Sequence, residues 1–235
     1  MTDIFVASIE DAYLLSEKLP ELKLSDFNIE HLSEKRKKSL LGGRALLQHI
    51  LSCRYNLKQL PVIEKLEHGK PYFFDHKGIF FNISHSTDWI VIAVGGYHQG
   101  IDLEFVKKRH DFEGLKARVL SPLERAWLDK FSLEDQMSEF TRLWTIKECL
   151  IKVSGLGLVG ISDIRADLEN HRVESRSNDP GVLASLRFDE IVDAGLSWLT
   201  YYFQNKSEKI SLYQLSDFDF KEVTPAANIH YLSVN

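Results

Sequence analysis

The sequence predicts an α+β fold in which helix and sheet occur together in both halves of the chain. Three observations lead there. Two long stretches, 31–55 and 132–154, space their apolar residues as amphipathic helices do. Short apolar runs separated by turns fill 72–105. Strand-like runs return after Ile161, so neither half is all helix or all sheet.

In order, Asp3–Ile9 reads as an opening strand and Asp11–Leu19 as a short helix stopped by Pro20. The helix over His31–Tyr55 rests on Leu40, Leu41, Leu47, Ile50 and Leu51, and its start carries Lys35, Arg36, Lys37 and Lys38. Gly42 and Gly43 in its middle would each cost about 1 kcal/mol relative to Ala, so they mark a close contact or a break. Gly69-Lys70-Pro71 turns into the aromatic strand Tyr72-Phe73-Phe74. Ile79–Ser84, Trp89–Val94 and Gly100–Phe105 follow as strands of a mainly antiparallel sheet. Ser121-Pro-Leu-Glu124 makes a capping box with Pro at the first helical position. Ser132 opens the helix that runs through Trp144 to Ser154. Ser197–Gln204 and Lys209–Leu215 read as a hairpin closed by 205–208, and the tail from Asp217 as loop plus a final strand.

Composition narrows the function. The chain has 235 residues, 44% hydrophobic and 27% charged, enough for a sizeable core. Net charge is −5 and evenly spread, with 12 basic and 14 acidic residues over 1–105 and 17 and 20 over 106–235. A nucleic-acid binder would show a basic excess. Cys53 and Cys149 support neither a disulfide framework nor a thiolate metal site. The start lacks the order of a signal peptide, and the longest apolar run, Trp89–Gly96, is too short to span a bilayer. A cytoplasmic enzyme or binding protein is expected.

The chemistry concentrates in three stretches. In Trp144-x-x-Lys147-Glu148-x-x-x-Lys152, the four named side chains fall within a helical sector of roughly 140°. A carboxylate between two lysines beside an indole makes a poor core face and a good site face. In Gly100-Ile101-Asp102-Leu103-Glu104, alternation puts Asp102 and Glu104 on one face, about 6–7 Å apart along the strand. Like charges there repel unless a cation lies between them. With Glu148 opposite, three carboxylates form a hard-oxygen set suited to Mg²⁺; an ordinary solvent-facing strand edge is the plainer reading of Asp102 and Glu104 alone. Asn82, Ser84 and His85 stand where a strand ends, able to cap a turn or to meet phosphate oxygens. No glycine-rich phosphate loop is present.

Gly69-Lys-Pro71, Phe81-Asn-Ile-Ser-His-Ser86 before Trp89, Gly100-Ile-Asp-Leu-Glu104, and Trp144-x-x-Lys-Glu148-x-x-x-Lys152-x-x-Gly155-x-Gly-Leu158 occur in this order. The pattern resembles the 4′-phosphopantetheinyl transferases, in particular the surfactin-type branch, and covers about 36–158. The resemblance implies two similar α+β halves related by a pseudo-twofold axis, 1–106 and 107–235, with coenzyme A in the cleft between them. It implies Asp102, Glu104 and Glu148 as Mg²⁺ ligands, Ser84 and His85 on coenzyme A phosphates, Lys70 at the adenosine end and Lys152 on the diphosphate. A basic residue before Leu40 would meet the 3′-phosphate: Lys38 matches best, with Lys37 and Arg44 as alternatives. Glu124 matches a recurrent family glutamate that its capping box already explains.

The implied reaction transfers the phosphopantetheine arm of coenzyme A to a serine of an apo carrier protein, with Glu148 or a metal-bound water as base. A monomer would suffice. Lys107, Lys108 and Arg109, with Phe112 and Leu115 at helical spacing, are the expected docking patch unless the two apolar residues are core. A non-catalytic coenzyme A or carrier-binding module of the same fold is the alternative, and it would usually have lost a carboxylate or Lys152. Which carrier is served is not legible.

Overall fold

The computed structural model describes residues 2–19, 22, 31–204, 210–224 and 229–235. Pro20 and the expected hairpin loop at 205–208 lie outside them. The strands are β1 (Thr2–Ser8), β2 (Ile63–Lys65), β3 (Pro71–Phe73), β4 (Phe80–Ser86), β5 (Trp89–Gly95) and β6 (Gly100–Phe105), then β7 (Ile164–Asp167), β8 (Arg172–Ser175), β9 (Gly181–Arg187), β10 (Ser197–Phe203), β11 (Ile210–Ser216), β12 (Asp219–Val223) and β13 (His230–Val234). The helices are α1 (Ile9–Glu17), α2 (Glu34–Tyr55), α3 (Phe112–Val119), α4 (Pro122–Leu128) and α5 (Leu133–Ser154). None of the described helices is long and apolar enough to cross a membrane.

One sheet runs β12-β11-β1-β5-β4 and the other β6-β10-β9-β13-β8-β7; β2 and β3 form a small ribbon. Most pairings are antiparallel, the exceptions being β1 with β11 and β13 with β8. The two sheets take strands from both sides of residue 106: β6 joins the second, β11 and β12 the first.

The alternation within β1 shows why the layers stack as they do. Phe5 and Ala7 face α1 and α2 with Leu46, Ile50 and Ile92. Ile4 and Val6 face the second sheet with Val91, Ile101, Leu199 and Leu212. On the far side of that sheet, Leu143, Ile146 and Leu150 of α5 pack on Val173, Leu183 and Leu232. Helix, sheet, sheet and helix therefore form four layers around three apolar seams. The long helices α2 and α5, each of 22 residues, cover the outer faces.

Helix α2 is unbroken through Gly42 and Gly43. A Cβ at Gly42 would come within 3.1 Å of the α1 backbone at Tyr13, so this glycine marks the close contact rather than a break. The capping box at Ser121 is present, and Ser132 caps α5.

The expected hairpin of 197–204 with 209–215 does not form. β10 pairs with β6 and β9, whereas β11 pairs with β1 and β12. Every residue of β10 is buried, which suits a strand with neighbours on both edges. The tail from Asp217 holds two strands, β12 and β13, rather than one.

Candidate active site

Strand β6 and helix α5 cross at Gly100. A Cβ there would lie 2.4 Å from the Cys149 carbonyl oxygen and from Val153 Cγ2, so only glycine lets strand and helix approach this closely. That approach brings Lys152 to Asp102. Lys152 Nζ lies 2.7 Å from Asp102 Oδ1 and 3.1 Å from the Ile101 carbonyl oxygen. Gly155, at φ +73°, ends α5 by donating its N–H to the Ile151 carbonyl.

The sheet edges meet at the same place. β4 ends one sheet and β6 the other, and side chains join them instead of a strand ladder. Asn82 Oδ1 accepts from the Ile101 N–H at 2.9 Å, and Ser84 Oγ accepts from the Leu103 N–H at 3.3 Å. Ser84 donates in turn to Asp102 Oδ1 at 2.9 Å, and Ser86 donates to Glu104 at 3.1 Å. Asn82 and Ser84 thus close an edge that would otherwise leave unpaired N–H groups. Ser84, which the family resemblance puts on a coenzyme A phosphate, gives its hydroxyl proton to Asp102 here.

The charges are unevenly compensated. Asp102 is only 4% exposed and its Oδ2 is buried without a partner. Burial, then the Asp102 charge, pushes the Glu104 and Glu148 carboxyls above the usual range. Among the described residues no three His, Cys, Asp or Glu side chains sit close enough to share one metal ion. The three carboxylates nevertheless feel one another, and the Lys152 ammonium is paired with Asp102.

His85 links this cluster to a groove of about 780 Å³ between α2 and β4. Much of its ring is open to solvent, yet desolvation and then Lys152 lower its pKa, while Asp102 pulls the other way and Arg36 adds to the lowering. Arg36, Ser39, Arg44, Pro71 and Ile83 line the groove. Arg44 Nη1 is buried there with no partner, and burial lowers its pKa.

Other expected residues lie elsewhere. Lys38 pairs with Glu10 at 2.8 Å and sits over the Tyr13 ring, away from the groove lining. Lys37 pairs with Glu34 at 2.8 Å. Lys70 donates to the Val153 carbonyl at 2.7 Å, and its side chain lines a different cavity. Lys147 does not share the site face with Glu148 and Lys152. It is 1% exposed and pairs at 2.9 Å with Glu124, which also accepts from the Ser121 and Ala166 N–H groups. Phe112 and Leu115 pack against the α5 core, and the Arg109 guanidinium stands over the Phe140 and Trp144 rings. The apolar pair of the expected docking patch is therefore partly buried against that core and not free to form the centre of a patch. Arg36 stands out in the sequence only as part of the basic helix start and not as a phosphate contact, although Arg36, Ser39, Leu40, Gly43 and Arg44 recur at helical spacing on one face of α2.

Comparison with known proteins follows the same residues. The model of the 4′-phosphopantetheinyl transferase superfamily matches residues 99–196, from β6 to the residue before β10. The 4′-phosphopantetheinyl transferase HetI of a Nostoc species is 31% identical over 159 residues, covering 66% of this chain and 67% of the relative. The chain belongs to the 4′-phosphopantetheinyl transferase superfamily. Two further relatives of the superfamily cover less. A protein named putative 4′-phosphopantetheinyl transferase from Haemophilus influenzae is 34% identical over 121 residues, 49% of this chain and 50% of its own length. The 4′-phosphopantetheinyl transferase AcpT of Escherichia coli is 36% identical over 121 residues, 51% of this chain and 59% of its own length. The chain thus spans between half and three fifths of these two transferases.

Proposed function

We propose that this chain transfers the phosphopantetheine arm of coenzyme A to a serine hydroxyl of an apo carrier protein, releasing adenosine 3′,5′-bisphosphate. The observation that carries the reading is the junction at His85. There a carboxylate–lysine cluster adjoins a groove with an unpaired buried arginine. A ligand with a diphosphate at one end and a second phosphate at the other suits both halves of that surface.

In this reading Arg44, with Arg36 at the rim, receives the 3′-phosphate in place of Lys38. His85 donates to a phosphate oxygen, and Pro71 and Ile83 flank the adenosine. Asp102, Glu104 and Glu148 stand too far apart here to share one ion and would have to draw together to hold Mg²⁺; the donor set is all hard oxygen, Asp102 Oδ2 lacks a partner, and the other two carboxyls sit above their usual pKa range. When bound, the ion neutralises diphosphate charge. Lys152 turns from Asp102 to the diphosphate and steadies the charge that builds on the leaving group.

The serine oxygen attacks the β-phosphorus, the bond to the bridging oxygen breaks, and the serine proton passes to Glu148. A carboxylate that also holds the ion is a weak base, so Glu148 takes this proton either directly or through a water beside it. Lys107 and Lys108, both exposed, are the basic rim for a carrier, without an apolar centre from Phe112 and Leu115. The enzyme works as a monomer in the cytoplasm.

The test is to incubate the protein with coenzyme A, Mg²⁺ and an apo carrier, then follow both products. Adenosine 3′,5′-bisphosphate and a serine-modified carrier should appear in equal amounts. Neither appearing with any of a fatty-acid, polyketide or peptide carrier would overturn the proposal.

A further inference from the structure

A second cavity, of about 430 Å³, lies under the β2–β3 ribbon. Pro71 is the residue it shares with the groove beside His85. Its walls are aromatic: Phe73 and Phe81 have ring centroids 4.4 Å apart, and Phe80 stands 4.6 Å from the His98 ring. Phe74, 57% exposed, also lines it. The volume falls within the range of about 300–1,000 Å³ common to small-molecule sites.

Polar residues also line this cavity: Lys70, Tyr72, His76, Lys77, His98 and Gln99, of which Tyr72 donates to Glu64 and His76 pairs with Asp75; none of the described lining residues is acidic. The Lys70 ammonium has three N–H donors. It gives one to the Val153 carbonyl at 2.7 Å and a longer one to the Gln99 carbonyl at 3.5 Å. Gln99 also lines the cavity; it is 1% exposed and its Oε1 has no partner. A cation with a donor to spare beside an apolar wall describes an amphiphile with an anionic head, bound through the Lys70 ammonium and not through the Gln99 amide oxygen, which can only accept. A neutral apolar guest would leave the charge unanswered.

We propose that this cavity is a second binding site, distinct from the groove, for a small amphipathic carboxylate whose head pairs with Lys70 and whose apolar body lies among Phe73, Phe80 and Phe81. Occupancy reaches the functional cluster through two short links. Val153 follows Lys152 in α5, and Gln99 precedes the strand that carries Asp102. Lys70 therefore ties the ribbon to both elements, and an anion that draws its ammonium inward loosens that tie. The site is independent of the transfer reading.

Octanoate is the probe and octanol its neutral counterpart, with binding to the full chain followed by calorimetry and protein NMR. One octanoate should bind per chain, about tenfold tighter than octanol, as a charge-assisted hydrogen bond implies. Lys70→Met should erase the preference. Leu66→Trp, at a half-exposed lining position, should block entry without disturbing the core. Equal binding of the two probes, a preference that survives Lys70→Met, undiminished binding in Leu66→Trp, or competition by coenzyme A for the same place would each overturn the proposal.

Discussion

Lys152 Nζ sits 2.7 Å from Asp102 Oδ1, while the other oxygen of that carboxylate is buried with no partner. The pair joins β6 to α5 through one carboxylate oxygen only. Removing one member strands the other charge in a low-dielectric place; removing both does not. Lys152→Met should lower stability by roughly 1–3 kcal/mol, the range for a buried group left unsatisfied. Asp102→Asn combined with Lys152→Met should recover much of that loss without restoring activity. Denaturant midpoints of the two single variants and the double variant decide it. Strictly additive losses would count against the pairing.

The neighbouring lysine should behave in the opposite way. Lys147 and Glu124 have side chains 1% and 0% exposed, and their pair ties α4 and α5 to β7. Lys147→Met should cost about 3–5 kcal/mol by leaving the buried Glu124 charge without its cation, held only by two backbone N–H groups. Glu148→Gln, one residue along, should cost little or even stabilise, because it removes a carboxylate from a repulsive cluster. Its loss should show in turnover instead. A Lys147 variant that is stable but inactive would reverse these roles.

Gly100→Ala adds a Cβ 2.4 Å from the α5 backbone at Cys149, which must then shift. Stability should fall by about 1–3 kcal/mol, as overpacking does. Activity should fall further, since Glu148 and Lys152 move with the helix. Thermal unfolding beside turnover measures both, and unchanged turnover would mean the crossing is not what aligns the site.

Burial lowers the Lys70 pKa from 10.5 to about 8. Below 8 the folded chain holds a desolvated ammonium; above 10.5 the lysine is neutral in both states. Between these values the unfolded chain binds more protons, so stability should rise with pH across that window. The stability of wild type relative to Lys70→Met, followed from pH 7 to 11, should increase by this slope. A flat difference would show that Lys70 is not desolvated.

What could be read from the letters follows from which forces are local. β6 and α5 were legible because alternation, a Ser cap and a glycine stop act within a few residues. Lys147 was misplaced because a helical wheel gives direction but not neighbours. A sector of roughly 140° is wide enough for one edge to face β7 while the other faces β6. The β10–β11 hairpin failed for a related reason: two strands adjacent in sequence found better partners far away, which no local pattern encodes. Arg44 and Lys38 stand six residues apart, about 240° round α2, and only the packing of α1 on one side decides which of them meets the groove. Gly100 gave no signal beyond its identity, since what it makes room for is the backbone of a helix 49 residues away.

Recognition of a second phosphate by Arg44 gives a further outcome. Dephospho-coenzyme A should be the weaker substrate for wild type, and Arg44→Met should narrow the gap chiefly through KM. Raised ionic strength should narrow it too, though less, because the guanidinium is largely withdrawn from solvent. The comparison is of kcat and KM for the two compounds with each protein. Equal use of both compounds by wild type would remove the assignment.

The central claim is that the cluster around Asp102 performs the transfer, and one measurement meets it directly. An apo carrier is incubated with coenzyme A at millimolar Mg²⁺ and either wild type or Asp102→Ala, and its intact mass is followed with time. Wild type should convert the carrier fully, while Asp102→Ala, with an unchanged circular dichroism spectrum, should leave it unmodified. Near-normal conversion by Asp102→Ala would contradict the account.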